Sequence, residues 1–136
     1  MKWRRAIGLL AAAGILGTAA EAAAQHTVTV TLNYDFSVDN ACGNSVTTAC
    51  VKQFNIYDIT GGATPIKLFS IPAPSGANSA VTGITGASGP LTLKAGVHTF
   101  AATAQMADGT ESSPNGSTAT ATVTPSSPAS FSVTVQ

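Results

Sequence analysis

The chain has 136 residues and no net formal charge at pH 7, with 9% charged and 44% hydrophobic side chains. Lys2, Arg4 and Arg5 lead into the apolar run AIGLLAAAGILGTAA, and the only later cations, Lys52, Lys67 and Lys94, face Asp35, Asp39, Asp58, Asp108 and Glu111. That mildly acidic balance excludes the basic patch that nucleic acid or an anionic membrane surface requires.

The basic start, the short apolar run and the small residues Ala22-Ala23-Ala24 read as a secretory signal over residues 1–24, with Gln25 opening the mature protein. An uncleaved anchor is the rival reading, but the run is rich in Ala and Gly and has no stop-transfer flank. Residues 25–124 then suit one small domain that buries a core between two sheets, with no membrane span after signal cleavage. In HTVTVTLNYDFSVD, Val28, Val30, Leu32, Tyr34, Phe36 and Val38 alternate with polar residues, predicting a long strand with one face in the core. No strand is expected upstream of it.

Cys42 and Cys50 bracket GNSVTTA. Export places them in an oxidising compartment, where two thiols so close in sequence pair with each other. A zinc site built from Cys42, Cys50, His26 and His98 is a rival whose spacing matches no standard pattern, and an intermolecular bridge is another. VKQFNIYDI follows as a strand with Phe54 and Ile56 inward and Asn55 and Tyr57 on the other face. GGATP and PAPSGANS mark turns around IKLFSI; SAVTGITG, GPLTL, VHTFAATAQM and STATATV are further strands. The fold class expected is all-β, an antiparallel sandwich of about seven strands. Residues 125–136 form a Pro-rich linker and a last alternating strand, with Phe131, Val133 and Val135 on one side.

VKQFNIYD resembles the third strand of fibronectin type III domains, and LKAGVHTFAATAQMADGTESSPNGSTATATV is similar to their stretch from strand E through F, the FG loop and G. The resemblance implies an immunoglobulin-like sandwich, and it speaks for fold more than for function. Three features depart from that pattern. His98 stands where the family places a corner tyrosine, and a structural role bonding backbone is expected of it. The strand B tryptophan is missing, so Tyr34 or Phe36 fills its space. Strand A is missing ahead of TVTVTLNYDFS, while Pro125, Pro128, Phe131, Val133 and Val135 reproduce its proline lead-in and alternation at the other end.

Strands A and G run the same way in that family. The roughly eight residues from Val123 to Phe131 reach only about 26 Å, so returning to fill the chain's own vacancy is strained. One hypothesis is that Ala129 to Gln136 adds to an exposed edge of another copy, head to tail, with Phe131, Val133 and Val135 filling core positions. Pairing of the tail against its own sheet, or a free tail, stands as the alternative.

Neither histidine has the partners of a hydrolase triad, and no nucleophile elbow, zinc-protease motif or phosphate loop occurs, so no enzyme activity and no cofactor are expected. Asp108-Gly109 reads as a turn rather than a calcium loop. The first functional reading is therefore a secreted or cell-surface structural protein, periplasmic placement being the variant. The alternative is an extracellular module binding protein or carbohydrate through Asn44 and Ser45 of the cysteine loop and Asp108, Gly109, Thr110 and Glu111 of the FG loop. No Arg-Gly-Asp tripeptide supports integrin-type adhesion, and Asn115-Gly116-Ser117 fits a glycosylation acceptor.

Overall fold

A computed structural model describes residues 24–43, 49–62, 64–125 and 133–134. The described chain forms eight strands: β1 (Gln25–His26), β2 (Thr29–Asp35), β3 (Val51–Asp58), β4 (Ile66–Pro72), β5 (Ala80–Ala87), β6 (Leu91–Thr92), β7 (Gly96–Met106) and β8 (Thr118–Val123). All pair antiparallel, β1 with β6, β2 with β5, and β4-β3-β7-β8 in one four-stranded sheet. No α-helix occurs among the described residues; Thr60–Gly62 makes a single 3-10 turn.

The count exceeds the expected seven by β1, which with β6, the strand expected in GPLTL, continues the line of the β2–β5 ladder. Gln25 pairs with Thr92 and His26 with Leu91, on the side where Thr29 goes on to meet Ala87. Gln25 and His26 thus form a short strand ahead of β2, where none was expected, and it lies on the β5 side of β2.

Strict alternation makes β2 two-faced, with Val30, Leu32 and Tyr34 half-buried and Thr29, Thr31, Asn33 and Asp35 exposed. The strand stops earlier than its sequence pattern. The Ser37 N–H donates to Asp35 Oδ1 at 2.9 Å, closing a local turn that competes with the ladder. Phe36 is carried into the core at 0% exposure, but Val38, predicted inward, is 84% exposed because the chain has already turned.

Opposite it, the register of β5 slips between Leu32 and Tyr34. Gly83 sits at the slip with φ 73°, a left-handed conformation that glycine adopts without steric cost, and its N–H donates to Asn33 Oδ1 at 3.0 Å. Gly86 is needed for a different reason: a Cβ there would lie 2.5 Å from Ile71 Cγ1, so β5 can approach β4 only without a side chain.

The core lies between the two sheets. Phe36 and Ile84 from the β2–β5 side meet Phe54, Ile56 and Ile71 of the four-stranded sheet, with Ala41 and Val51 beside them. Phe54 and Ile56 face inward as their alternation predicts, at 2% and 1% exposure. Tyr34 and Phe36 both contribute to the aromatic centre, their rings 4.8 Å apart, with Tyr34 5.1 Å from Phe54. Such tilted aromatic contacts add to simple area burial. The result is a sandwich-like pair of layers.

Candidate functional site

The outer edge of β2 is the feature the fold leaves open. Ser88 N–H donates to Val28 O at 2.9 Å and Phe36 N–H to Ser79 O at 3.3 Å, so the even-numbered residues of this ribbon turn their main chain toward β5. By the alternation of an antiparallel ladder, the N–H and C=O groups of Thr29, Thr31 and Asn33 aim the opposite way. Among the described residues no strand pairs with that side.

Below this edge runs a groove. One part, about 380 Å³, is lined by Val30, Leu32, Ile56, Phe100, Ala102 and Ala119, among others. A second part, about 300 Å³, lies between His26–Thr29 and Ala121–Thr124. Thr118 therefore borders the Val30–Asn33 end and Thr124 the His26 end, so β8 runs opposite to β2 across the groove. Among the described residues, main-chain groups with no strand partner thus stand beside a groove of mixed lining, in which Val30, Leu32 and Phe100 lie together with Thr31, Asn33, Ser117 and Thr118. A strand-accepting site uses such features, hydrogen bonds supplying affinity and alternate side chains supplying register.

Of the residues predicted to enter such a site, Phe131 and Val135 lie outside the described residues. Val133 is 69% exposed and, with Thr134, belongs to no strand.

The ends of the predicted cysteine loop and the turn after β7 meet at one pole. Cys42 and Cys50 form a disulfide with Cα atoms 4.9 Å apart, and Ala107 N–H donates to Cys50 O at 2.9 Å, tying the turn after β7 to the bridge. Asn44 and Ser45 lie outside the described residues. Asp108, Gly109 and Thr110 form an exposed turn in which Thr110 N–H donates to Asp108 Oδ1 at 2.8 Å.

Glu111 behaves differently from its loop neighbours, because it folds back over the outer face of the four-stranded sheet. Its Oε1 accepts from Tyr57 Oη at 2.7 Å, from Asn55 Nδ2 at 3.0 Å and from the Thr103 hydroxyl. Burial opposes ionisation of Glu111, but those three donors and nearby Lys67 together hold its carboxyl below the usual range; burial and the same carboxylate push the Tyr57 phenol up.

Sequence reading missed the network behind Glu111. Asn55 and Thr103 are 1% and 2% exposed on the face expected to be wet, and Gln53 Nε2 donates to Asn55 Oδ1 at 2.9 Å and to Gln105 Oε1 at 2.8 Å. The available signal was polar alternation in both QFNIY and TAQ, which puts amides opposite one another on adjacent strands. Burying them costs little only because they satisfy each other.

His98 occupies the corner before the long run of β7, 8% exposed and stacked on Phe100. Its Nε2 lies 2.8 Å from Lys94 O and its Nδ1 2.7 Å from Asp58 Oδ2. The Lys94 carbonyl and an ionised Asp58 both accept, so the imidazolium form, with a proton on each ring nitrogen, satisfies both contacts. The bond to Lys94 O, followed by the Asp58 contact, holds its pKa above the ordinary histidine value. Burial works against Asp58, yet the Thr60 hydroxyl and N–H and the imidazole outweigh it and lower the carboxyl. This is the backbone-bonding corner expected of His98; Asp58 as its partner was not foreseen.

Among the described residues no group of three or more His, Cys, Asp or Glu side chains is placed to hold a metal ion, and no helix is long and apolar enough to cross a membrane. Comparison of the chain with protein-family models, with curated proteins and with solved structures gave no match.

Proposed function

We propose that the protein is an exported, non-catalytic structural domain of the immunoglobulin or fibronectin type III kind, whose open β2 edge accepts the C-terminal strand, residues 129–136. One observation carries the reading: among the described residues no strand pairs with the main-chain groups of Thr29, Thr31 and Asn33, which stand beside a groove between β2 and β8 whose lining includes Val30, Leu32 and Phe100. The strand arrangement supports the sandwich type, since β2–β5 facing β4-β3-β7-β8 is the layout that the resemblance implies for B–E facing C′-C-F-G. Lys94 O bonded to His98 at the head of β7 supports it too, standing where a corner tyrosine would bond back to backbone. The Cys42–Cys50 bridge suits a non-reducing compartment, in keeping with export.

Amide hydrogen exchange of residues 25–136, with and without residues 125–136, tests the strand-acceptor role. Protection at Thr29, Thr31 and Asn33 is expected to fall on removal of the tail. Equal exchange in both forms removes the reading.

A second reading has its own support. The tie between Ala107 and Cys50 sets the disulfide bridge beside the Asp108–Glu111 loop, and a bridge that preorganises a loop lowers the ordering cost of binding. A module binding extracellular protein or carbohydrate through this pole would lose retention on a glycan or matrix-protein array when both cysteines are replaced by alanine. Retention by neither form would leave the strand-acceptor reading alone.

A further inference from the structure

The acceptor edge and the tail are separate parts of one chain, which leaves open whose tail a given groove takes. Resting on the strand-acceptor reading above, we infer that the donor is a second copy, entering antiparallel to β2 and parallel to β8, so that the protein polymerises head to tail.

Direction is the first argument. β8 runs from the Asn33 end of the groove to its His26 end, so a chain continuing past Thr124 travels out of the molecule at that pole. Filling its own groove would require a reversal through TPSSPAS and would lay the tail parallel to β2. Parallel pairing is slightly the weaker ladder. Continuing straight on instead brings the tail to the Asn33 end of a following copy, in the sense that pairs antiparallel with that copy's β2. The chain's own geometry agrees, because Val133, one of the three apolar tail residues, is 69% exposed and in no strand.

Length and pattern fit the same occupant. Eight residues in extended form cover roughly 27 Å, against roughly 24 Å for the seven-residue β2. Phe131, Val133 and Val135 would point down toward Leu32, Ile56 and Phe100, while Ser132, Thr134 and Gln136 would face water beside Thr29, Thr31 and Asn33.

The edge also carries little of the usual protection. Natural edges are commonly guarded by lysine, proline or a covering loop, whereas of the outward residues Thr29, Thr31, Asn33 and Asp35 only the last, at the end of the strand, is charged, and every side chain of the tail is uncharged. Donor and acceptor are different surfaces, so each added copy presents a fresh groove and the contact propagates without closing on itself.

Complementation between two full-length mature variants decides the matter. Thr31→Pro removes an N–H that faces the open edge and takes no part in the β5 ladder, giving a chain that donates but cannot accept; Thr29→Pro serves the same purpose where Thr31→Pro does not fold. Phe131→Asp with Val135→Asp gives a chain that accepts but cannot donate. In sedimentation velocity the unaltered protein is expected to show an average mass that climbs with concentration. Each variant alone should remain a monomer, and an equimolar mixture should double the mass to a capped dimer.

Monomers in the mixture, together with faster exchange at Thr29, Thr31 and Asn33 in the Phe131→Asp, Val135→Asp chain, would mean that the tail fills its own groove. The second-copy inference then falls and the strand-acceptor reading stands. Monomers with unchanged exchange overturn both.

Discussion

His98 and Asp58 set a pH window for stability through one ion pair. The folded imidazolium has a raised pKa, so its contribution is complete below the unfolded histidine value of about 6.5 and is lost as pH rises through the folded value. Asp58 has a lowered pKa, so its contribution is present above about 3.9 and is lost as pH falls through the depressed value. Urea midpoints are therefore expected to peak between roughly pH 4 and 6.5 and to fall on both sides. His98→Gln, which cannot titrate, should flatten the alkaline limb; an unchanged limb would mean another group controls it. At Gly86 the argument is steric. A methyl group 2.5 Å from the buried Ile71 side chain forces the sheets apart, and Gly86→Ala is expected to cost about 1–3 kcal/mol in chemical denaturation. A neutral result would show that Ile71 can rotate away.

Among the elements, β2, β3, β7 and β8 were legible because alternation at period two is visible in the residues themselves, and Phe54 and Ile56 face as that period demands. The end of β2 was not. The apolar pattern carries on through Val38, and only the Ser37–Asp35 bond reveals that the strand has already turned. Nor was the buried outer face of β3 and β7 visible, since Asn55 and Thr103 look like ordinary wet positions until Glu111 folds over them. The Cys42–Cys50 pairing was legible from spacing, read together with the expectation of a secretory signal. Closing a loop with a sequence separation of 8 contributes about 2–3 kcal/mol on the chain-entropy account. Replacing Cys42 and Cys50 together by alanine should lower the unfolding free energy by that amount, while the antiparallel circular dichroism signature persists. A loss near zero would mean that the bonds from Asn40 O to Val51 N and from Ala107 N to Cys50 O already hold this pole.

At the scale of the whole molecule the two layers are unequal. β3 is bonded on both sides, by β4 and β7, and β7 by β3 and β8, whereas β2 and β5 have only each other among the described residues. A two-stranded ribbon is marginal by itself and depends on the face it covers. Opening should therefore begin there. In native-state exchange of the monomer, amides of β3 and β7 are expected to exchange only through global unfolding, and those in the β2–β5 ladder through a lower-energy opening. Uniform protection across both sheets would contradict that ranking. The same inequality makes a donated strand consequential, because it gives β2 a second partner and covers the half-buried Val30 and Leu32 at once.

The residues alone determined the all-β character of the described chain, the course of β2, β3, β7 and β8, the inward face of Phe54 and Ile56 and which cysteines can meet, since periodicity, turn chemistry and loop length are local properties. Whether β1 stands as a neighbour of β2 or prolongs it, which carboxylate reaches His98, and the open trough between β2 and β8 were decided only by the assembled sheets. Those facts depend on groups brought together from distant parts of the chain, Asp58 with His98 and Leu32 with Ala119, and no local pattern encodes such a meeting.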